Sequence, residues 1–276
     1  MVLALFGNPV RHSLSPAMHN AALAAMGING VYVPFCVTDL RAAVLGMRGM
    51  GIRGASVTLP FKVEVMELLD ELDDDARRIG AVNTISCRRG ALRGTNTDWI
   101  GLWAALGPAR AGGAQTYVIV GAGGAARAAL FAVLQDGGQP VLVNRTAATG
   151  GQLAAEWGCS FRKLADLDRL EADCLINTTA VGMAPHGEES PVPAAVLPRF
   201  RWVMDCVYTP LETRLLREAR AAGCEVLSGL EMFVTQGAEQ LRLWTGREPP
   251  TALMRQVVQE RLAAPSRRSI TPGGER

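Results

Sequence analysis

The chain has 276 residues, 49% of them hydrophobic and 20% charged, with 28 Lys and Arg against 26 Asp and Glu. That length supports one large or two medium hydrophobic cores, and a net charge of +2 supplies no basic surface for nucleic acid. No apolar run approaches the roughly 20 residues that cross a bilayer, and MVLALFGNPV lacks the basic flank and apolar length of an export signal, so a cytoplasmic location is expected.

In chain order, Val2 to Phe6 reads as an apolar strand closed by Gly7-Asn8-Pro9. Ser15 before Pro16 suggests an N-cap with proline at the first helical position, and a helix over Ala17 to Met26 that stops at Gly27. Val31 to Val37 reads as a strand, Leu40 to Met50 as a helix closed by Gly51, and Gly54 to Pro60 as a strand running into a turn. The pattern predicts a helix over Phe61 to Leu72, a further short helix after Asp73-Asp74-Asp75, and a hairpin around Arg89-Gly90. This alternation predicts a mostly parallel sheet. A helix over Trp99 to Leu106 leads to Tyr117 to Val120, an Ala-rich helix and a strand over Pro140 to Val143. Helices over Gln152 to Trp157, Thr213 to Ala222, Met232 to Trp244 and Thr251 to Leu262 follow, with strands at Cys174 to Asn177, Trp202 to Asp205 and Glu225 to Leu227. Leu164 to Leu170 is a loop or a helix, and Gly182 to Pro193 a Gly/Pro-rich loop. The polar tail PSRRSITPGGER carries no pattern and is expected to be disordered.

The strongest local signal is TYVIVGAGGAARAALFAVLQDGGQPVLVNRT, residues 116–146. Gly121, Gly123 and Ala126 follow the G-x-G-x-x-G/A spacing between a strand and a helix. Gly121 permits a tight turn, Gly123 lets the backbone approach a pyrophosphate, and Ala126 lets helix and strand pack closely. The helix N-terminus then offers free N–H groups to the phosphates. The following strand ends in Asn144-Arg145-Thr146 with no carboxylate. Arg145 therefore favours NADP, whose 2′-phosphate suits a guanidinium, over NAD. Six cysteines without a C-x-x-C pair fit a reduced compartment, and three histidines without a Cys/His cluster predict no metal site.

Outside the turn lie four polar clusters: Ser13-Leu14-Ser15, Thr58 with Lys62, Asn83-Thr84, and Asn96-Thr97-Asp98. Two serines spaced i and i+2 in an extended loop can offer both hydroxyls to one ligand. Lys62 and Asp98 are the acid/base-capable members, and a lysine beside a carboxylate in a cleft can transfer protons. The stretches GNPVRHSLSPAMHN, SVTLPFK, GAVNTI, GTNTD, GAGGAARA, NRT, NTTAVGM, DCVYTPLET and GLEMFVTQGAEQ together resemble the shikimate dehydrogenase family, over nearly the full chain to about residue 262.

That resemblance implies an α/β protein with a split N-terminal α/β catalytic domain, a Rossmann-type NADP-binding domain and a cleft between them. The implied boundaries are 1–101 for the first catalytic segment, 102–228 for the NADP-binding domain, 229–263 for helices returning to the catalytic domain, and 264–276 for the tail. It implies reversible NADPH-dependent reduction of 3-dehydroshikimate to shikimate in aromatic amino-acid biosynthesis. Lys62 and Asp98 would be the catalytic pair, with Ser13, Ser15, Thr58, Lys62, Asn83, Asp98, Tyr208 and Gln236 around the substrate. Gly121, Ala122, Gly123, Gly124, Ala125, Ala126, Asn144, Arg145, Thr146, Thr149, Thr178, Met183, Val207 and Gly229 would hold NADP. The partner implied is a small molecule, not nucleic acid or membrane, and the protein would be a monomer or homodimer. The chain departs from the family's pattern in two ways: Ser56 stands where asparagine is common, which bears on the shape of the pocket floor, and no second arginine follows Thr146, which rests NADP selectivity on Arg145. The alternatives are a quinate or aminoshikimate dehydrogenase with relaxed cofactor choice, and a non-catalytic NADP-binding regulator, which would need neither Lys62 nor Asp98.

Overall fold

A computed structural model describes residues 1–264; the expectation of a disordered tail falls on residues outside these. The first part runs β1 (Val2–Gly7), α1 (Ser15–Ala25), β2 (Val31–Cys36), α2 (Leu40–Gly49), β3 (Gly54–Val57), β4 (Glu71–Leu72), α3 (Asp74–Ile79), β5 (Thr84–Arg88) and β6 (Ala91–Thr95). Helices α4 (Asp98–Ala105) and α5 (Gly107–Ala111) lead into β7 (Thr116–Val120), α6 (Gly124–Gln135), β8 (Gln139–Asn144), α7 (Ala147–Trp157) and β9 (Ser160–Lys163). Then come β10 (Cys174–Asn177), β11 (Trp202–Asp205), α8 (Arg214–Ala221), β12 (Glu225–Ser228), α9 (Gly229–Thr245) and α10 (Thr251–Ala263).

The strands form two six-stranded sheets, ordered β2-β1-β3-β5-β6-β4 and β12-β11-β10-β7-β8-β9. Every pairing in the second sheet is parallel. Its strands run outward in both directions from β7 and β10, the doubly wound order whose switch point opens a crevice at the strand C-termini. The central strands β10 and β11 are buried at every residue, as a parallel sheet covered on both faces requires. Ala126, Ala128, Ala129 and Ala132 of α6 lie in the core on one side, and their small side chains let helix and sheet approach closely.

Several elements differ from the sequence-based expectation. The first sheet is mixed, because the β5–β6 hairpin pairs antiparallel to β3 and within itself. The helix expected over Phe61 to Leu72 is a 3-10 turn at Glu64–Leu68 followed by β4, which pairs with β6. Asp70 explains the break: its Oδ2 accepts from Leu92 N at 2.7 Å and its carboxylate is paired with Arg48, tertiary bonds that a propensity argument cannot contain. Ser15 is the first residue of α1 rather than its N-cap, which is Leu14 without a side-chain bond; the Ser13 hydroxyl instead accepts from Ser15 N at 3.2 Å. Helix α7 starts at Ala147, through two glycines, because buried Gly150 lies against Phe161 where a side chain would collide. The edge strand β9 and helix α5 had no clear sequence signal.

Helices α9 and α10 pack on the first sheet: Leu230, Phe233, Leu241, Trp244 and Met254 share a core with Leu3, Leu5, Met18 and Leu23. Trp244 Nε1 donates to Ile85 O at 2.9 Å, and Gly54 leaves the space its indole fills. His19, fully buried, stacks on Tyr32 with ring centroids 4.2 Å apart. Its Nδ1 lies 2.9 Å from the Ser15 carbonyl, so Nδ1 carries the proton, while Nε2 has no partner among the described residues. Burial lowers its pKa from 6.5 to about 4. The unfolded chain takes up this proton below pH 6.5 and the folded chain does not. The stability linked to His19 is therefore present above pH 6.5 and lost as the pH falls towards 4, about 3 kcal/mol in full. Asp205, raised to about 6 by burial, works in the opposite direction. A comparison with His19→Asn cancels that second contribution. In urea unfolding, the stability of the wild type relative to His19→Asn is expected to fall steadily between pH 6.5 and 4.5; a flat difference would refute the assignment.

Candidate functional site

The C-terminal ends of β1 and β3 lie side by side, since Leu3 to Phe6 pair with Gly54 to Val57. The loops leaving them are stitched together by Asn8 N donating to Leu59 O at 2.9 Å and Thr58 N to Phe6 O at 2.9 Å. This brings the Ser13–Ser15 loop and the Thr58–Lys62 segment to one edge. Tyr208 approaches from the other unit, stacked on Phe233 with centroids 3.9 Å apart. Burial raises its phenol pKa, and hydrogen bonding to the Ser13 hydroxyl and the Leu14 backbone opposes the rise.

Lys62 Nζ meets Asp98 Oδ2 at 2.6 Å, with side chains only 15% and 6% exposed. Asp98 opens α4, where the helix dipole favours a carboxylate. Its Oδ1 accepts from Asn83 Nδ2 at 2.9 Å, and the same amide nitrogen lies 3.4 Å from Gln236 Oε1. Gln236 is held in turn by its Nε2, which donates to Phe233 O at 2.8 Å. Four residues predicted for the substrate thus form one bonded group from four separate elements. Coulomb attraction between unit charges at this separation is several kcal/mol at an effective dielectric of about 20, enough to hold the ammonium in one place.

On the second sheet, β7 ends at Gly121, whose φ of +122° suits glycine. A methyl there would fall 2.5 Å from Thr178 Oγ1, at the C-terminal end of β10 and hence at the switch point. Thr178 is fixed by its Oγ1 donating to Val120 O at 2.7 Å. Gly123 is the N-cap of α6, no side chain caps that helix, and space is open where a Cβ would stand. The free amides of Gly124, Ala125 and Ala126 and this opening fit a pyrophosphate. At the end of β8, Asn144 Nδ2 donates to Thr146 O and Thr149 Oγ1, both at 3.0 Å, and Thr149 Oγ1 donates to Thr146 O at 3.3 Å. The Thr149 hydroxyl is thus engaged within the first turn of α7 and the residues that lead into it. Arg145 is exposed, and its guanidinium has no hydrogen-bond or ion-pair partner among the described residues.

The two halves meet at Lys62. A Cβ on Gly124 would lie 3.0 Å from Lys62 Cβ and 3.1 Å from its Cδ, so the first turn of α6 touches the stem of that lysine. At the end of β11, burial raises the Cys206 thiol pKa, and Asp205, Asp98 and Lys62 all act on it electrostatically. Val207 is anchored there by its N–H to Asp205 Oδ1 at 3.0 Å. Ala184 N donates to Thr209 O at 2.9 Å, which ties exposed Met183 to this edge. Gly229 packs so closely that a methyl would lie 2.5 Å from Cys206 O. Tyr32 and Gln240, which had drawn no role from the sequence, are buried, as is Ser56, which the sequence had marked as a departure from the family's pattern. A glutamine four residues after Gln236 on one helix face was the available signal.

A glycine turn at an uncapped helix N-terminus beside a buried lysine–carboxylate pair is the arrangement that a nucleotide-dependent oxidoreductase uses. A family model described as the shikimate dehydrogenase substrate binding domain matches residues 5–85, and one described as the shikimate 5'-dehydrogenase C-terminal domain matches residues 229–259. Shikimate dehydrogenase (NADP(+)) of Moorella thermoacetica is 46% identical, over 96% of this chain and 95% of its own. The crystal structure of shikimate 5-dehydrogenase from Thermus thermophilus in complex with NADP(H) and shikimate superposes with a TM-score of 0.84 at 39% identity, covering 94% of this chain and 99% of that one. Quinate dehydrogenase from Corynebacterium glutamicum in complex with NAD reaches a TM-score of 0.86 at 30% identity, covering 94% and 99%. The chain belongs to the shikimate dehydrogenase family.

The backbone at Gly121 yields a direct test. Gly121→Ala must hold an L-residue at positive φ against Thr178, and conformations of that kind cost about 1–3 kcal/mol. Its urea midpoint is expected to fall accordingly, and an unchanged midpoint would show that the turn is not held in this conformation.

Proposed function

We propose that this protein interconverts 3-dehydroshikimate and shikimate with NADP as redox partner, in the cytoplasm, as a step of aromatic amino-acid biosynthesis. The observation that carries this reading is the double contact of Lys62, with Asp98 through its ammonium and with Gly124 through its stem. On this reading residues 1–101 and 229–263 form the substrate side and 102–228 the cofactor side. A monomer or a homodimer would serve, since every residue assigned a role comes from a single chain.

Bound NADP supplies or accepts the hydride. The protein handles the proton: Lys62 Nζ donates to the substrate oxygen as the carbonyl becomes a hydroxyl, and takes the proton back in the reverse direction. Asp98 Oδ2 holds that ammonium in place, and Asn83 turns the carboxylate so that it can also accept from a ring hydroxyl. Ser13, Ser15, Thr58, Gln236 and Tyr208 supply the remaining polar contacts to a polyhydroxylated carboxylate. A substrate lacking one of those groups would leave a buried partner unmatched, and that is how such a site discriminates. Gly121 to Ala126 receive the pyrophosphate, with Asn144, Arg145, Thr146 and Thr149 at the ribose end and Thr178, Met183, Val207 and Gly229 at the other.

Lys62→Ala is expected to lower kcat by about a hundredfold or more while NADPH still binds, as read by fluorescence titration; unchanged turnover would remove Lys62 from the proton path. Arg145→Ala is expected to raise the KM for NADP by roughly tenfold or more, the worth of a lost charge-assisted bond, with little effect on the KM for NAD. Equal effects on both cofactors would mean that Arg145 does not read the 2′-phosphate. The likeness to a quinate dehydrogenase with NAD, together with the engaged Thr149 hydroxyl, makes quinate and NAD the discriminating controls. A higher kcat/KM on quinate with NAD than on shikimate with NADP would overturn the substrate assignment.

A further inference from the structure

Beneath the candidate site runs a continuous chain of buried hydrogen bonds that ends at the reacting pair. Tyr32 on β2 donates from its hydroxyl to Ser56 Oγ at 2.6 Å, and Ser56 Oγ donates to Gln240 Oε1 at 2.6 Å. Gln240 Nε2 donates to Thr84 Oγ1 at 3.0 Å and to Asn83 O at 3.1 Å. Thr84 Oγ1 donates to Asn83 Oδ1 at 2.7 Å, and Asn83 Nδ2 reaches Asp98. Ser56 and Thr84 stand opposite one another on antiparallel β3 and β5, and Gln240 of α9 bridges them. Tyr32, Ser56, Thr84 and Gln240 are all buried.

The directions of the amide and Ser56 bonds follow from two backbone groups. Thr97 N, which can only donate, lies 2.7 Å from Asn83 Oδ1, so the Asn83 amide must present Nδ2 to Asp98. Asn83 O, which can only accept, faces Gln240 Nε2, so Gln240 must turn Oε1 towards Ser56. Ser56 then has to donate to Gln240 and accept from Tyr32. Thr84, accepting from Gln240, has its proton free for Asn83. Neither Tyr32 nor Ser56 can reverse without leaving a buried donor facing a donor, a costly arrangement, and Thr84, barred from donating back to Gln240, gives its proton to Asn83 Oδ1 at 2.7 Å or to Thr97 Oγ1 at 3.3 Å.

We propose that Gln240, with Ser56 and Thr84, is a positioning unit for the Lys62–Asp98 pair: by donating to Asn83 O and Thr84 Oγ1 it turns the Thr84 proton towards Asn83 and Thr97 and, together with Thr97 N, holds the Asn83 amide that orients the Asp98 carboxylate. Gln240 acts through its neighbours and touches neither Lys62 nor Asp98. This inference rests on the reaction proposed above and goes beyond it, since it assigns part of the geometry of the pair to a helix residue one turn beyond Gln236 that bonds to neither member of it.

The test uses the full chain and steady-state kinetics with shikimate and NADP. Gln240→Leu and Thr84→Val, the second nearly isosteric, are each expected to lower kcat/KM for shikimate about tenfold while the KM for NADP stays within twofold. Thr84→Ser, which returns the hydroxyl, is expected to recover most of the loss. A purely structural role would lower the melting temperature and leave kcat/KM of the folded enzyme unchanged, and that result overturns the inference. Should Gln240→Leu fail to fold, the Thr84 pair decides by itself. A wild type inactive on shikimate but active on quinate overturns the substrate assignment, and the same ratios are then read on quinate. A wild type silent on both removes the proposed reaction and this inference with it.

Discussion

Lys62 and Asp98 attract each other across 2.6 Å in a pocket that nearly excludes water, and most of what surrounds them answers the cost of placing two charges there. Removing an ion from water costs several kcal/mol even in a relaxed protein, and attraction offsets that cost only when the remaining lone pairs are also satisfied. Asp98 meets the condition through Asn83 at one oxygen, Lys62 at the other and the start of α4 behind it. Asn83 in turn is held by Thr97, Thr84 and Gln236. The carboxylate is thus satisfied at both oxygens, while Lys62 Nζ is bonded to Asp98 alone among the described residues and keeps donors to spare.

The same pair joins the two sheets. Helix α4, which carries Asp98, packs against both α6 and α9, and at Gly101 it approaches the Met232 carbonyl so closely that a Cβ would lie 2.5 Å away. Lys62 itself lies against Gly124. The glycine turn of the second sheet and the Lys62–Asp98 pair of the first are therefore in direct contact, with the first turn of α6 packed on the lysine stem. A chain that interleaves its two units in sequence can produce such contact, because α9 returns to the first sheet immediately after β12 leaves the second.

Legibility from sequence divided along physical lines. The β7–α6–β8 unit could be read almost to the residue, because a strand buried on both faces, a glycine at positive φ and an alanine-faced helix are local demands. The hairpin at Arg89-Gly90 was equally plain, both residues taking positive φ. Phe61 to Leu72 was misread, since its helical periodicity yields to the bonds of Asp70 with Leu92 and Arg48. Helix α7 was read as starting too late because two glycines argued against it, whereas packing against Phe161 admits them. Among candidate site residues, Lys62, Asp98, Asn83 and Gln236 could be named from motifs. Tyr32, Ser56 and Gln240 could not be linked to them, because their bonds span 24 and 184 positions of chain.

By itself the sequence determined the nucleotide turn, the alternation of strands and helices, the two charged residues and the family. All of these depend on residue type at short spacing, where backbone sterics, helix periodicity and side-chain chemistry act directly. Only the tertiary structure decided that the expected Lys62–Asp98 pair closes to a buried 2.6 Å contact, that Gly124 presses on the lysine, and how the buried hydrogen bonds run from Tyr32 to Asn83. Those outcomes depend on distances between segments far apart in the chain, set by how two sheets and α9 pack, and no local preference encodes them.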